Sequence, residues 1–206
     1  MANLRERDNL DSTGERPEGV TTPHTRFRVV SERSALLIEA RSSVGPISFG
    51  TTALEGYVDA HLDDVTGTVG ESPSSHLSFS LDTLRSGNKV YDAELQHRVD
   101  ARRHPVTSVD LHDATRIGQS HRYEVTGDLS FHGVTRTISG TVGLSVPGPG
   151  KLLVLGEHVF DMRDFDIAAP TVFMLRIYPD VRVQLHLEAE RVEPATETKT
   201  PNDCGG

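Results

Sequence analysis

The chain has 206 residues, enough for one well-cored domain and cramped for two. Its composition is globular but polar, with 35% hydrophobic residues, 5% aromatics and no tryptophan, which fits one domain carrying flexible tails. A formal charge of −9 argues against nonspecific nucleic-acid binding and against docking on anionic lipid.

Residues 1–23 are charged and polar, with Gly14, Pro17, Gly19 and Pro23 among them, and read as a disordered arm. Phe27 and Val29 begin a strand. Leu36, Ile38 and Ala40 alternate with Leu37 and Glu39 in the next, and Gly45-Pro46 and Gly50 punctuate an irregular stretch after it. Leu54, Gly56, Val58, Ala60 and Leu62 then alternate cleanly with Glu55, Tyr57, Asp59, His61 and Asp63. A Gly/Ser/Pro loop covers 66–75, and Leu77, Phe79 and Leu81 alternate against Ser78, Ser80 and Asp82. From Lys89 to Arg103 the period changes. Tyr91, Leu95 and Val99 recur at i, i+4 and i+8, one helical stripe, with Asn88 as N-cap and Asp92 near the positive helix start. Pro105 ends the helix ahead of a strand at 106–111.

Tyr123, Val125, Gly127, Leu129 and Phe131 share one face of the next run, and Ile138, Gly140, Val142 and Leu144 share one face of the run after it. His132-Gly133 between them permits the reversal of an antiparallel hairpin. The last strand, 181–191, sets Val181, Val183, Leu185, Leu187 and Ala189 against a charged face that must meet water. Residues 193–206 read as a second flexible tail, so the folded domain is 24–192. The expected fold class is all-β: about eight antiparallel strands, one short helix between the fourth and fifth, and closure into a barrel that removes the edges. Such a barrel is just wide enough for packed side chains or one slender ligand, and alternation alone leaves a filled core and a lined tunnel both open.

Three motifs carry a resemblance. Ser86-Gly87-Asn88, Asp92-Ala93-Glu94-Leu95 and Asp100-Ala101-Arg102-Arg103-His104-Pro105 form the first. Tyr123-x-Val125-x-Gly127-Asp128-Leu129-Ser130-Phe131-His132-Gly133-Val134-Thr135-Arg136 is the second and most specific, and Arg163-Asp164-Phe165-Asp166-Ile167 is the third. Together they resemble the YceI-like domain family of bacterial lipid-binding proteins, over roughly 27–190. The resemblance implies an extended eight-stranded, lipocalin-like barrel around an elongated apolar cavity. It implies a long isoprenoid, isoprenoid quinone or fatty-acyl chain as ligand. Where the family has an Arg before the first Asp this chain has Tyr91; where it has Phe-Phe, Arg98-Val99; where it has a late Gly, Asp166.

The expected ligand-binding residues are apolar: Leu95 and Val99 from the helix, Val125, Leu129 and Phe131 from the inner face of the hairpin, and Phe165, Ile167, Phe173 and Met174 from a patch around Pro170 that reads as a lid or as an ordinary packed loop. Small inner residues (Gly56, Ala60, Gly127, Gly140) leave room for a tunnel or mark strand bends. His132 reads as a turn residue that tolerates positive φ. The ten histidines show no zinc-site spacing, and no G-x-S-x-G elbow is present, so neither a metal site nor catalysis nor a cofactor is expected. Asp92, Asp128 and Asp164 read as groups that fix loops. The single cysteine, Cys204, excludes an internal disulfide, and no apolar run approaches the roughly twenty residues of a membrane-spanning helix. The N-terminal stretch lacks the apolar segment of a signal peptide, so the expected location is the cytoplasm unless a leader has been removed. The expected function is binding or sequestration of a long apolar lipid. The alternatives are a filled barrel acting as an interaction module, including a homodimer paired along residual strand edges, and a cryptic enzyme.

Overall fold

The computed structural model describes residues 25–63, 68–70, 72–168, 171–172 and 175–192. The arm expected over 1–23, the tail over 193–206, and Phe173 and Met174 of the expected lid lie outside the described residues. The strands are β1 (Thr25–Val29), β2 (Ala35–Ser42), β3 (Gly45–Thr51), β4 (Glu55–Ala60), β5 (Leu62–Asp63), β6 (Thr68–Val69), β7 (Ser74–Ser80), β8 (Val106–Arg116), β9 (Arg122–Phe131), β10 (Val134–Gly148), β11 (Lys151–Asp161), β12 (Thr171–Val172) and β13 (Leu175–Arg191). One α-helix, α1 (Lys89–Arg98), lies between β7 and β8, and short 3-10 turns occupy Ser31–Arg33, Leu81–Thr83 and Met162–Phe165.

The ring runs β1-β4-β7-β8-β9-β10-β11-β13 and closes where β13 pairs β1, antiparallel throughout. β13 borders two partners in succession: its Ile177–His186 stretch pairs β2, and Ala189 onward pairs β1. β1 and β2 therefore share one bent position in the wall. β3 and β4, which pair β2 and β1, share the next. The barrel has eight positions, as expected, but not the eight strands read from the chain. The first two predicted strands merge into one position. The stretch read as irregular after Ala40 is β3, the fifth strand runs on to Arg116 across a bulge between Leu111 and Asp113, and β11 had no predicted counterpart. β11 hides because its faces are mixed: Leu155 and Val159 are exposed, while Gly156 and His158 line the interior. The helix stops at Arg98 and gives way to a turn in which Asp100 has φ 42°.

The interior is unequal along its length. One half is packed solid around Phe27, Ala60, Tyr123, Leu152 and Leu187, none more than 1% exposed. The Tyr123 hydroxyl donates to the Val69 carbonyl at 2.5 Å and ties β6 onto this end. A second cluster of Phe49, Leu81, Leu84, Val99, Met162 and Ile167 occupies the end beneath α1. Between the clusters, inward-facing residues such as Ile38, Val109, Leu129, Val142 and Leu185 are only half-buried. Equivalent positions in the packed half are sealed, so the difference marks a void.

Two of the small inner residues serve strand bends, not open space. A Cβ on Gly127 would stand 2.3 Å from the Asp110 carbonyl oxygen beside the β8 bulge, and Gly56, at φ 136°, would meet the His76 carbonyl oxygen at 2.0 Å. Close backbone approach demands glycine there. Ala60 belongs to the packed half; only Gly140 borders the void.

Candidate functional site

The helix that covers the void is built by local chemistry. The Asn88 side chain accepts from the Val90 N–H at 2.9 Å, the N-cap bond. The Asp92 carboxylate accepts from the Ser86 N–H and hydroxyl, both at 2.7 Å, and these bonds hold it below its ordinary pKa of 3.8. Gln96 donates to the Leu81 carbonyl at 2.6 Å and anchors the helix to the turn at Leu81–Thr83. β3 meets the segment leading to the helix through the Gly50–Arg85 bridge and through the Thr51 and Thr83 hydroxyls, 2.8 Å apart. Tyr91, Leu95 and Val99 turn inward, as their spacing predicted. Tyr91 occupies the position of the family's Arg, and Arg98 pairs with Glu94 at the rim.

The void is a cavity of about 330 Å³. Its walls are almost wholly apolar: Leu36, Ile38, Phe79, Val109, Leu111, Val142, Val183 and Leu185 from the strands, with Phe49, Leu81 and Leu84 towards the helix. It stands at the lower end of the roughly 300–1,000 Å³ typical of small-molecule sites. Of the expected contacts, Leu95, Val99, Val125, Leu129, Phe131 and Ile167 line it. Phe165 does not. It is 1% exposed and packs behind the wall, its ring 5.6 Å from Phe131 and 5.4 Å from Phe160. Phe165 and Ile167 are thus fixed wall, not a loose lid. Asp166 takes φ 59°, the left-handed conformation that suits the glycine the family carries there.

Several polar groups also face the cavity. The Thr107 hydroxyl is buried and has no hydrogen-bond partner among the described residues. The His158 ring likewise has no hydrogen-bond partner among the described residues, and burial lowers its pKa from 6.5. Sequence reasoning missed His158 and Phe160 together with β11; the period-two series Leu152, Val154, Gly156, His158, Phe160 was the available signal. His132 sits with Gly133 at φ 52° and 76° in a two-residue hairpin turn, as expected, and its Nδ1 lies 2.9 Å from the Phe165 carbonyl oxygen. Of the three aspartates, Asp128 accepts from Thr137 at 2.8 Å, whereas Asp164 acts through its backbone carbonyl. Among the described residues no group of three or more His, Cys, Asp or Glu is arranged to hold a metal ion, and no helix is long and apolar enough to cross a membrane.

Residues 36–189 match the family model described as the YceI-like domain. The chain belongs to the YceI-like domain family. No curated protein matches it. Among solved structures, Burkholderia cenocepacia BcnA is similar, with 16% identity, a TM-score of 0.67 and coverage of 78% of this chain and 99% of that one. A polyisoprenoid binding domain from Saccharophagus degradans, implicated in plant cell wall breakdown, aligns with a TM-score of 0.66 at 15% identity over 81% of this chain and 98% of its own. The Campylobacter jejuni YCEI protein aligns with a TM-score of 0.54 at 15% identity, over 68% and 82%. At such identities the likeness is one of fold.

In this YceI-like domain the barrel wall is split on one side. β10 and β11 pair only from Thr141/Glu157 to Gly148/Lys151. Below that point β10 continues with β9 as far as Val134, and His158–Asp161 of β11 stays with β13, but the two strands do not pair with each other. The far end of the split is tied by Arg136, whose Nε donates to the Asp164 carbonyl at 2.9 Å, and by the His132–Phe165 contact. Between these ends, Ile138, Ser139, Gly140, Thr141, Glu157, His158 and Phe160 all border the cavity. Outward-facing and inward-facing positions border it together along this unpaired stretch of the wall.

Proposed function

We propose that this domain binds one long apolar lipid, an isoprenoid or fatty-acyl chain, with its tail desolvated in the barrel. The cavity carries the reading: about 330 Å³ of space, walled by aliphatic and aromatic side chains, between two packed ends. The Saccharophagus domain, named as a polyisoprenoid binding domain, supports the same class of ligand. An apolar tail needs only buried area. At about 25 cal/mol per Å², covering roughly 400 Å² of it yields about 10 kcal/mol before the cost of ordering the chain. Few polar contacts are then required, and they serve to orient the head group.

Organic extraction of the purified protein followed by mass spectrometry tests this. A co-purified lipid with a long hydrocarbon tail is the expected result. Protein that yields no lipid, and that takes up neither isoprenoid nor fatty-acyl ligands in titration, would refute it.

A further inference from the structure

We propose that this domain measures the tail of its ligand. The cavity is a blind tube whose floor, at the level of Leu144, Val154 and Leu187, admits about three to four isoprene units, or a fatty-acyl chain of about 12–16 carbons, and turns away longer polyisoprenoids. The inference rests on the lipid-binding reading and sets the length of its ligand.

The floor is a step between two rows of paired residues. Val142, Gly156, Leu185 and Leu36 lie opposite one another across β10, β11, β13 and β2, and all four line the cavity. The next inward row on β10, β11 and β13 is Leu144, Val154 and Leu187. None of these lines the cavity, and none is more than 6% exposed. Tyr123, opposite Val142 on β9, is sealed in the same way, and the bond from its hydroxyl to the Val69 carbonyl holds the ring in place. A tail pushed past this row would have to displace close-packed side chains. Gly156 adds depth to the last open row. A Cβ there would make only ordinary contacts, 3.5 Å to Val142 and 3.8 Å to Leu185, so no close backbone approach demands glycine.

The opposite end is built differently. Val99, Met162 and Ile167 beneath α1 line the cavity themselves, and so do Glu94 and Arg98, a partly exposed ion pair. Between the floor and this rim the lining of β9 runs from Val125 to Phe131, about 20 Å of strand at roughly 3.3 Å per residue. The usual tilt of barrel strands, about 35–45°, shortens that to about 15 Å along the axis. An extended hydrocarbon with bonds of about 1.5 Å advances about 1.3 Å per backbone carbon, hence about 5 Å per isoprene unit. The tube is therefore filled by about three to four units. Each further unit is left at the rim, with apolar surface in water or against the Glu94–Arg98 pair. A longer chain gains no burial in the protein and gives up the burial it had in a bilayer.

Isoprenoid alcohols share one head group and differ in length, so a series of them tests length alone. Geraniol, farnesol, geranylgeraniol and decaprenol are offered to the full chain from phosphatidylcholine vesicles, and transfer is read by native mass spectrometry. The three shorter alcohols are expected to transfer with constants within about tenfold of one another, and decaprenol at least about a hundredfold more weakly. Gly156→Leu fills the last open row and is expected to weaken geranylgeraniol at least about tenfold while geraniol stays within about twofold. Melting curves confirm that the variant folds, and the wild-type series needs no variant. Decaprenol transferring as well as geranylgeraniol overturns the inference while the lipid-binding reading stands. Equal loss of geraniol and geranylgeraniol in folded Gly156→Leu does the same. Failure of every alcohol to transfer removes the lipid-binding reading and this inference with it.

Discussion

The His158 imidazole faces the cavity from β11, and burial alone depresses its pKa from 6.5. The sign of its effect on stability is set by that direction. The unfolded chain takes up a proton as pH falls through about 6.5, while the folded chain resists until a lower pH, so protons favour unfolding in that interval. Chemical denaturation between pH 8 and pH 5 is expected to show wild-type stability declining more steeply than that of His158→Gln, the two curves running parallel above pH 7.5. A wild-type curve no steeper than the variant's would mean that His158 is fully hydrated. Other single residues were legible in the chain. Asn88 and Asp92 announced a helix start because capping is a contact between near neighbours. His132-Gly133 announced a turn for the same reason. His158 did not announce itself, since its meaning depends on a cavity that no neighbouring residue creates.

At the scale of elements, α1 shows why a short helix persists. No residue within Lys89–Arg98 is fully buried, and ten residues are too few for a helix to be stable alone. Its start and its anchor to Leu81 therefore matter more than its length. Asn88→Ala is expected to cost about 1 kcal/mol. Asp92→Asn is expected to lower the melting temperature at pH 7, an effect that fades as pH drops below 3.8 towards the folded-state value, because the Asp92 carboxylate is favoured by folding only while it is charged. Amide exchange should separate the elements: in the Asn88→Ala, Asp92→Asn double variant α1 exchanges faster while the centre of β9 keeps its protection. Loss of protection in both would show that the helix and barrel open as one unit. The strands divide by the same logic. β9, β10 and β13 read clearly because one face is apolar and the other wet. β11 did not, because Leu155 and Val159 are apolar on the outer face and His158 is polar on the inner one. Its identity comes from pairing with β13 along its whole length, from Lys151 opposite Glu190 to Asp161 opposite Asp180.

The whole molecule is a barrel packed at one end and hollow along the middle, and its two regions should answer truncation differently. Leu187, fully buried among Phe27, Tyr123 and Leu152, has neighbours on every side. Leu187→Ala is expected to cost about 2–5 kcal/mol, the loss of transfer energy plus a new cavity. Leu129 already borders empty space, so Leu129→Ala enlarges an existing void and is expected to cost less than about 2 kcal/mol. Equal destabilisation in urea melts would mean that the middle of the barrel is as tightly packed as its sealed end.

By itself the chain determined which face of each clear strand is apolar, where the principal hairpin turns and where the helix begins. These rest on period-two alternation, a two-residue turn and a cap, all contacts within a few residues. Only the tertiary structure decided that the ring closes through β13 against both β1 and β2, that β10 and β11 part below Thr141, and that the side chains facing the middle of the barrel stop short of one another. Those outcomes depend on distances across the barrel between residues as far apart in the chain as Ile38 of β2 and Leu129 of β9, and no local pattern carries that length.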